Sequence, residues 1–320
     1  MERLDVLAIG ELNPDLILTG LQDDGPRLGV EQEFGGYRLT LGSSTAISCV
    51  LMQRLGLKTA LSACVGDDEY GRFCCQALET EQVNTRLIEV CPGVETGLTI
   101  CLPYPRDRML LTCKGAMALN PARAVSDDQL RMAGHLHVGS FFLQTGLRPA
   151  LAGLFASARA LGLTTSLDTG WDPQQAWLTE DLRATLAKTS FFLPNQIEFE
   201  HLTGETDPCR GAEKLLELGV GAVVLKRGPL GAVHVDPEGM FDDPGFATDA
   251  IDTTGAGDAF NAGYLTAMIR GQPVAARLAF GNACGSLTAS AIGGSGGVLG
   301  PKQVQTLIAS RAPLAELIRP

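Results

Sequence analysis

Short apolar runs alternate along the chain with longer stretches in which apolar residues recur every three or four positions. The short runs have the length of strands, and the longer stretches have the length and period of helices. Strand-length runs lie at residues 6–9, 59–65, 136–138, 165–167, 191–193 and 222–225, and helix-length stretches at 46–55, 71–78, 147–161 and 211–218. Because strands separated by helices pair in parallel and carry helices on both faces, the pattern predicts a doubly wound, mainly parallel α/β sandwich.

Two segments, residues 15–41 and 96–113, depart from this alternation. Each contains two strand-like runs with no helix between them, and residues 99–102 and 109–112 flank a short turn as in a hairpin. We therefore expect a single α/β domain over residues 1–320, with a small β-sheet outside the main layer. Such a sheet, placed over the edge of the main sheet, would act as a lid.

The clearest chemistry lies in the run Asp-Thr-Thr-Gly-Ala-Gly-Asp at residues 252–258, which continues into an apolar helix. The first turn of a helix attracts anions, because its N–H groups lack internal partners and the helix dipole is positive there. Gly255, Ala256 and Gly257 would offer backbone N–H groups to a phosphate. A carboxylate at Asp258 would repel that phosphate, so its presence indicates a catalytic role. It could act as a general base that takes a proton from an attacking hydroxyl. The same string also fits an ordinary helix cap with a tight glycine turn.

Other nucleotide-binding motifs fit the chain poorly. A dinucleotide fingerprint would need a third glycine where Phe260 stands, and the Gly-Lys pair of a Walker A loop occurs nowhere. Residues 252–258 and their helix instead resemble the second signature of the PfkB family, the ribokinase-like sugar and nucleoside kinases. The resemblance implies a ribokinase-like fold, ATP and Mg²⁺ as cofactors, and transfer of the γ-phosphoryl group to a hydroxyl of a small sugar or sugar-like substrate. A nucleoside kinase of the same fold, and a sugar- or nucleotide-binding protein that has lost catalysis, are the alternatives.

Polar residues after the first predicted strand are candidates for substrate binding. Asn13 and Asp15 belong to the string Gly-Glu-Leu-Asn-Pro-Asp at residues 10–15. Side chains there emerge at the carboxyl edge of the sheet, where ligands of open α/β sheets bind, although Asn and Asp also form turns. The string resembles the family's first-strand motif, which implies that Asp15, assisted by Asn13, holds sugar hydroxyls.

The family's first signature is matched only in part, by residues 41–56 and 65–73. Its usual form begins Gly-Gly and has an Asn seven positions before the Arg of Arg-Leu-Gly, whereas this chain has Ser43 and Ile47 at those places. An unmatched polar contact costs about 1–3 kcal/mol, so we do not expect ribose-type recognition. Gly42 and Ser43 still offer backbone and hydroxyl groups to a substrate.

A third polar string, residues 168–173, follows the predicted strand at 165–167. Related kinases often have Asp-x-Asn-x-Arg here, and this chain has Gly170 and Asp172 in place of the Asn and the Arg. A substrate that bears a carboxylate would therefore lose a partner. Gln144 and Trp171 are further pocket candidates, although a large aromatic residue is at least as often part of a core or an interface.

The remaining candidates rest mainly on the resemblance. Asn and Glu three residues apart at a helix start also form an ordinary cap, but the family's Asn-x-x-Glu motif organises Mg²⁺, often through water, and Mg²⁺ needs few protein ligands. The implied residues are Asn195 and Glu198 for Mg²⁺, Lys226, Gly228, Asn282 and Gly285 for the nucleotide, and Asp252 and Thr254 for a monovalent cation such as K⁺.

Composition narrows the class of ligand. The 320 residues carry a net charge of −11, which argues against a nucleic-acid partner, because neutralising phosphates requires an excess of lysine and arginine. There is no membrane-spanning apolar run or signal peptide, and the nine cysteines include no C-x-x-C pair, so we expect a cytoplasmic protein with reduced thiols. The predicted partners are a small sugar-like molecule and ATP, with no membrane partner. An apolar lid face also predicts a homodimer that pairs through the lids.

Overall fold

The computed structural model describes residues 3–20, 25–103, 108–119, 122, 125–291, 293–298 and 300–311. Within the described residues the larger of two sheets has nine strands, in the order β13-β12-β11-β10-β9-β8-β1-β4-β5. The strands are β1 (Leu4–Ile9), β4 (Thr59–Gly66), β5 (Asn84–Cys91), β8 (Ala133–Val138), β9 (Thr164–Leu167), β10 (Phe191–Phe192), β11 (Ala222–Lys226), β12 (Ala232–Asp236) and β13 (Gly239–Asp243). The pairs from β5 to β11 are parallel, and β12 and β13 add an antiparallel edge. The doubly wound, mainly parallel prediction is confirmed, but the sequence did not indicate the β12–β13 hairpin.

Helices cover both faces of this sheet. They are α1 (Ser44–Arg54), α2 (Glu69–Thr80), α3 (Asp127–Arg131), α4 (Arg148–Ala160), α5 (Glu180–Leu186), α6 (Gln196–Thr203), α7 (Pro208–Glu217), α8 (Ala256–Ile269), α9 (Val274–Ala289) and α10 (Pro301–Ala309). The two faces are visible in β1, because side chains alternate across a strand. Leu7 and Ile9 pack with α4 to α7, whereas Val6 packs with α1, α8 and α9, and Ala8 packs with α1 and α2. All four side chains are fully buried.

The two segments that departed from the alternation form a separate small sheet. Its strands are β2 (Pro14–Thr19), β3 (Gly36–Leu41), β6 (Leu98–Pro103) and β7 (Arg108–Cys113), in the order β3-β2-β6-β7. The central pair β2–β6 is parallel, and both outer pairs are antiparallel. This sheet carries an exposed set of apolar residues, Tyr37, Met109, Leu110 and Leu111. Its strand β2 begins five residues after β1 ends, so the small sheet is joined to the carboxyl end of the main sheet.

Candidate active site

The predicted catalytic turn begins helix α8. Gly255 is the residue before the helix and has φ of 72°, a conformation that glycine adopts without strain. A Cβ at Gly255 would lie 2.4 Å from the Cα of Gly294, so the two backbones touch. The N–H of Ala256 donates to the carbonyl of Thr253 within the turn, at 3.2 Å. The anion-binding capacity of the turn therefore rests on the amides that follow, in the first turn of α8.

Asp258 lies in that first turn and is partly buried. The hydroxyl of Ser44 donates to its Oδ1, and the hydroxyl of Ser48 donates to its backbone carbonyl at 3.3 Å. Burial raises the pKa of Asp258 to about 7, and the charge of Asp168 adds to this effect. A carboxyl that titrates near neutral pH has the proton affinity that a general base needs at that pH.

A buried ion pair lies beside the turn. The ammonium group of Lys226, at the end of β11, donates to Oδ2 of Asp168 at 2.5 Å and to Oδ1 of Asn261 at 3.2 Å. Asn261, on α8, donates to the same Oδ2 at 2.6 Å. The Nζ atom also lies 3.6 Å from where a Cβ of Gly257 would stand, so a positive charge lies against the turn at residues 255–257.

Asn195 and Glu198 form the start of α6 and bind each other. The side chain of Asn195 donates to Oε1 of Glu198 at 2.7 Å, and the backbone N–H of each residue donates to the other side chain at 2.9 Å. Glu198 is buried, which raises its pKa to about 8, and the neighbouring Asp168 acts in the same direction. The donors are a carboxylate and an amide oxygen, and a divalent cation would offset the charge that these carboxyls crowd together, so the residues fit Mg²⁺.

The residues predicted to bind substrate meet around Glu11, in the loop after β1. Glu11 is buried, and its carboxylate accepts from the hydroxyl of Thr45 at 2.6 Å and from the amide of Gln144 at 3.3 Å. The other amide atom of Gln144, Oε1, is buried without a hydrogen-bond partner in the described residues. Burial raises the pKa of Glu11.

Asn13 and Asp15 extend this polar wall toward the small sheet. The amide of Asn13 donates to the hydroxyl of Thr99 on β6 at 3.2 Å and to Oδ1 of Asp15 at 3.4 Å. Gly42 lies against Asp15, because a Cβ there would stand 2.0 Å from Oδ1 of that carboxylate. The close approach therefore requires glycine at residue 42.

Ser43 and Ile47 both make contacts within the protein. Ser43 caps α1: its hydroxyl accepts from the N–H of Ala46 at 3.1 Å and donates to the carbonyl of Glu11 at 2.5 Å. Ile47 is buried in the core between α1 and α8, and its Cδ1 lies 2.6 Å from where a Cβ of Gly294 would stand. An apolar side chain thus supports the turn that packs on Gly255.

The other predicted nucleotide residues lie in the turn after β11 and on α9, and the predicted cation residues lie just before α8. Gly228 has φ of 55° in the turn after β11. A Cβ at Gly285 would lie 3.2 Å from the carbonyl of Ala256, so Gly285 brings α9 close to the catalytic turn. Asn282 is buried and donates to Oδ1 of Asp243 at 2.6 Å. Asp252 accepts from the N–H groups of Thr254 at 2.9 Å and Gly293 at 3.0 Å, which ties the start of the turn to the loop after α9.

Comparison with known proteins identifies the family. A family model described as pfkB family carbohydrate kinase matches residues 3–298. The chain belongs to the PfkB carbohydrate kinase family.

Relatives agree with this assignment over most of their length. An ATP-dependent ribose-1-phosphate kinase of Halopiger xanaduensis is 28% identical over 89% of this chain and 91% of its own. A 2-dehydro-3-deoxygluconokinase of Bacillus subtilis is 30% identical over 80% of this chain and 82% of its own. An E. coli crystal structure assigned to a Ribokinase II, in complex with ATP and Mg²⁺, aligns with a TM-score of 0.85 at 25% identity, covering 96% of this chain and 99% of that one.

The PfkB kinase is thus a phosphotransferase that uses ATP, and the acceptor is a hydroxyl group of a sugar. Within its described residues, no helix is both long enough and apolar enough to cross a membrane.

The fold brings to the site several residues that were not predicted as site residues. Glu11, Thr45, Asp168 and Asn261 all bind one another or a predicted residue there. Asp168 begins the polar string at 168–173, which was predicted to follow a strand, but no role in the site was assigned to it. No sequence signal pointed to Asn261, because a residue inside an apolar helix is expected in the core.

Proposed function

We propose that this PfkB kinase phosphorylates a small uncharged sugar, with Asp258 as the general base. The observation that carries the proposal is the position of Asp258: its carboxyl lies in the first turn of α8, partly buried, with a pKa of about 7. Asp258 would take the proton from the attacking sugar hydroxyl. The sugar oxygen then bonds to the γ-phosphorus of ATP, and the bond from that phosphorus to the bridging oxygen breaks and leaves ADP.

The phosphoryl group would be held at the turn of Gly255, Ala256 and Gly257, by amides other than that of Ala256, which donates to Thr253. Amides of the first helical turn and the ammonium group of Lys226 supply positive charge at this point. Because Lys226 is paired with Asp168, its charge is fixed in place and costs no reorganisation during transfer. Each well-placed donor of this kind contributes roughly 3 kcal/mol to the transition state.

Asn195 and Glu198 would hold Mg²⁺, directly or through water. The ion would supply charge neutralisation between the phosphates and the acidic residues. Asp252 and Thr254 are the proposed residues for a monovalent cation such as K⁺. Gly228, Asn282 and Gly285 are proposed to face the nucleotide.

The charge of the pocket argues for an uncharged substrate. The acids that gather there are Glu11, Asp15, Asp168 and Asp258. Among the described residues that contact one another in this region, the cation is Lys226, and it already pairs with Asp168. An acidic group on the sugar would meet this negative field without a partner. Hydroxyls, in contrast, find acceptors in Glu11 and Asp15 and a donor in Asn13.

A substrate panel tests the proposal. We expect the highest kcat/KM for a neutral sugar, and at least about tenfold lower values for sugar acids, sugar phosphates and nucleosides. The panel should be run with ATP and Mg²⁺, with and without K⁺. A sugar phosphate or sugar acid as best substrate would contradict the charge argument, and a nucleoside as best substrate would make the enzyme a nucleoside kinase. No turnover with any acceptor, together with intact ATP binding, would indicate a binding protein.

The small sheet is proposed to be a lid, and two lids are proposed to pair in a homodimer. Support comes from Met109 and Leu111, which lie two positions apart on β7 and are 43% and 53% exposed, and from Tyr37 on β3, which is 70% exposed on the same face of the sheet. Light scattering at micromolar concentration tests this. A mass near the 33.7 kDa of one chain would rule out a stable dimer.

The requirement for ATP supports a cytoplasmic location. So does the absence of disulfides, since all nine cysteines are free thiols.

A further inference from the structure

Arg311, two residues after α10, binds the loop that follows β13. Its guanidinium group makes a two-pronged ion pair with Asp243, with Nη1 2.6 Å from Oδ2 and Nη2 2.8 Å from Oδ1. Nη2 also donates to the carbonyl of Gly245 at 2.5 Å, and the guanidinium carbon lies 3.7 Å from the ring centre of Phe246. One side chain thus holds the last residue of β13 and two residues of the loop after it. A planar guanidinium is the group that can make all of these contacts at once.

Asp243 in turn connects the loop to α9. Its Oδ1 accepts from the amide of Asn282 at 2.6 Å and from the backbone N–H of Gly245 at 3.1 Å. Asn282 also donates to the backbone carbonyl of Asp243 at 3.3 Å. The carboxylate, which is largely buried, therefore accepts from four donors. The orientation of Asn282, a proposed nucleotide residue, depends on where this carboxylate is held.

The same loop touches the turn after β11. A Cβ at Gly231 would lie 1.9 Å from the carbonyl of Asp243 and 2.4 Å from the N–H nitrogen of Gly245. The loop therefore packs against the backbone of the turn that contains Gly228. A displacement of the loop would move both proposed nucleotide contacts, the turn and Asn282, together.

We propose that Arg311 is a positioning residue for nucleotide binding: it clamps Asp243, Gly245 and Phe246 so that the turn of Gly228 and the side chain of Asn282 form one wall. This inference rests on the proposed function, which places the nucleotide there. Arg311 lies outside the region matched by the PfkB family model, which ends at residue 298.

The test compares Arg311→Gln with a matched control, Arg148→Gln. Arg148 makes the same kind of contacts elsewhere: a two-pronged pair with Asp181 at 2.7 and 3.0 Å, and a cation–π contact of 4.9 Å with Phe141. ADP affinity is measured by calorimetry, steady-state constants are measured for ATP and the sugar, and amide exchange is followed at Gly245 and Phe246. Arg311→Lys, which keeps the charge without the planar fork, is measured in parallel.

For Arg311→Gln we expect ADP affinity to fall about tenfold, KM for ATP to rise by a similar factor, and kcat and KM for the sugar to stay within about twofold. Exchange at Gly245 and Phe246 should quicken, and Arg311→Lys should lie between wild type and Arg311→Gln. Arg148→Gln should leave ADP affinity unchanged, whatever stability it loses. Unchanged ADP affinity in Arg311→Gln, or an equal loss in both variants, would overturn the clamp. A wild-type protein that binds no adenine nucleotide would instead overturn the proposed function, and the clamp with it.

Discussion

The ammonium group of Lys226 and the carboxylate of Asp168 are 2.5 Å apart, and both side chains are about nine-tenths or more buried. Removing two charges from water is costly, and their attraction offsets this only when hydrogen bonds complete the pair. Asn261 supplies one such bond to the carboxylate. The pair thus fixes a positive charge beside the turn at residues 255–257, and it also places a negative charge near Asp258 that raises the pKa of that residue.

Lys226→Met should be strongly destabilising. The substitution leaves Asp168 buried without its cation, and breaking a buried pair in this way costs roughly 3–5 kcal/mol. Urea unfolding measures the loss. Lys214→Met is the control, because Lys214 pairs with Glu205 at 2.6 Å while about half of its side chain is exposed. This variant should lose less than about 1 kcal/mol of unfolding free energy. Adding Asp168→Leu to Lys226→Met should recover part of the stability, and a double variant less stable than the single one would contradict this account.

Asp168→Asn should move the acid limb of the pH profile of kcat/KM to lower pH. In the wild type this limb should lie near pH 7, where Asp258 loses its proton and becomes able to act as a base. Replacing Asp168 removes a like charge and leaves Lys226 unpaired, and both changes lower the pKa of Asp258, by roughly one unit. Profiles are measured at saturating Mg²⁺.

Two further variants give this experiment its controls. Ser44→Ala removes a hydrogen bond that favours the ionised form of Asp258, so its limb should move in the opposite direction, to higher pH. Asp181→Asn changes an acid that pairs with Arg148 elsewhere and should not move the limb. An acid limb that is the same in all four proteins would mean that a group other than Asp258 controls it.

The sequence predicted β1, β4, β8, β9, β10 and β11 because each of these strands has a short apolar run, and α1, α2, α4 and α7 because each has a longer periodic stretch. Strand β5, which is half polar and partly exposed, was not predicted. Residues 59–65 and 222–225 were expected as strands, and β4 and β11 lie there within one residue at each end. The hairpin β12–β13 was not predicted. Most of β13 is exposed and Asp-rich, so it carries neither an apolar run nor a clean alternation.

The candidate site was predictable where a motif is continuous in sequence and not where it depends on pairing at a distance. The turn at 255–257 and the acid at 258 are neighbours along the chain, so their joint role could be inferred. Lys226 and Asp168 are 58 positions apart, and only the parallel register of β9, β10 and β11 brings them together. Ile47 shows the reverse case: its position suggested a missing substrate contact, and the fold gives it a packing role against Gly294.

Asp258→Asn should nearly abolish turnover while nucleotide and sugar affinity stay within a few-fold. Loss of a general base typically lowers kcat by about 10²-fold or more. Steady-state kinetics and calorimetry measure the two effects separately. Near-normal turnover would remove Asp258 from the role of base.

The same variant should be more stable than wild type at high pH. Because the folded pKa of Asp258, about 7, lies above the ordinary value of 3.8, its ionisation opposes folding. The destabilisation is absent below about pH 4, grows as pH rises to the folded pKa, and is constant above it. We expect Asp258→Asn to gain roughly 1–2 kcal/mol at pH 8, discounted for partial exposure, and nothing at pH 4. A gain that is equal at both pH values would show that ionisation of Asp258 is not its source.

Ribose should be a poor substrate. The family pattern that the chain resembles has an Asn where this chain has Ile47. Ile47 is 3% exposed and packs in the core, so this position offers no amide to a sugar hydroxyl. A sugar without a hydroxyl at this place loses no binding free energy. Ribose would bury a hydroxyl without a hydrogen-bond partner beside Ile47, at a cost of about 1–3 kcal/mol. Values of kcat/KM across a panel of neutral sugars measure this. Ribose with the highest kcat/KM of the panel would contradict the prediction.

Gly42→Ala should weaken sugar binding with little effect on ATP. The added methyl carbon would stand 2.0 Å from Oδ1 of Asp15, far inside van der Waals contact, so the carboxylate must turn away from its place beside Asn13. If Asp15 holds sugar hydroxyls, losing a hydrogen bond to a charged group raises KM for the sugar by roughly tenfold or more. Gly153→Ala is the matched control, because a Cβ at that position of α4 meets nothing within 4 Å. The control should be neutral or slightly stabilising, as expected for alanine in a helix. An unchanged KM for the sugar in a folded Gly42→Ala variant would mean that Asp15 does not contact the substrate. Glu11 would then be the candidate for the sugar-binding carboxylate.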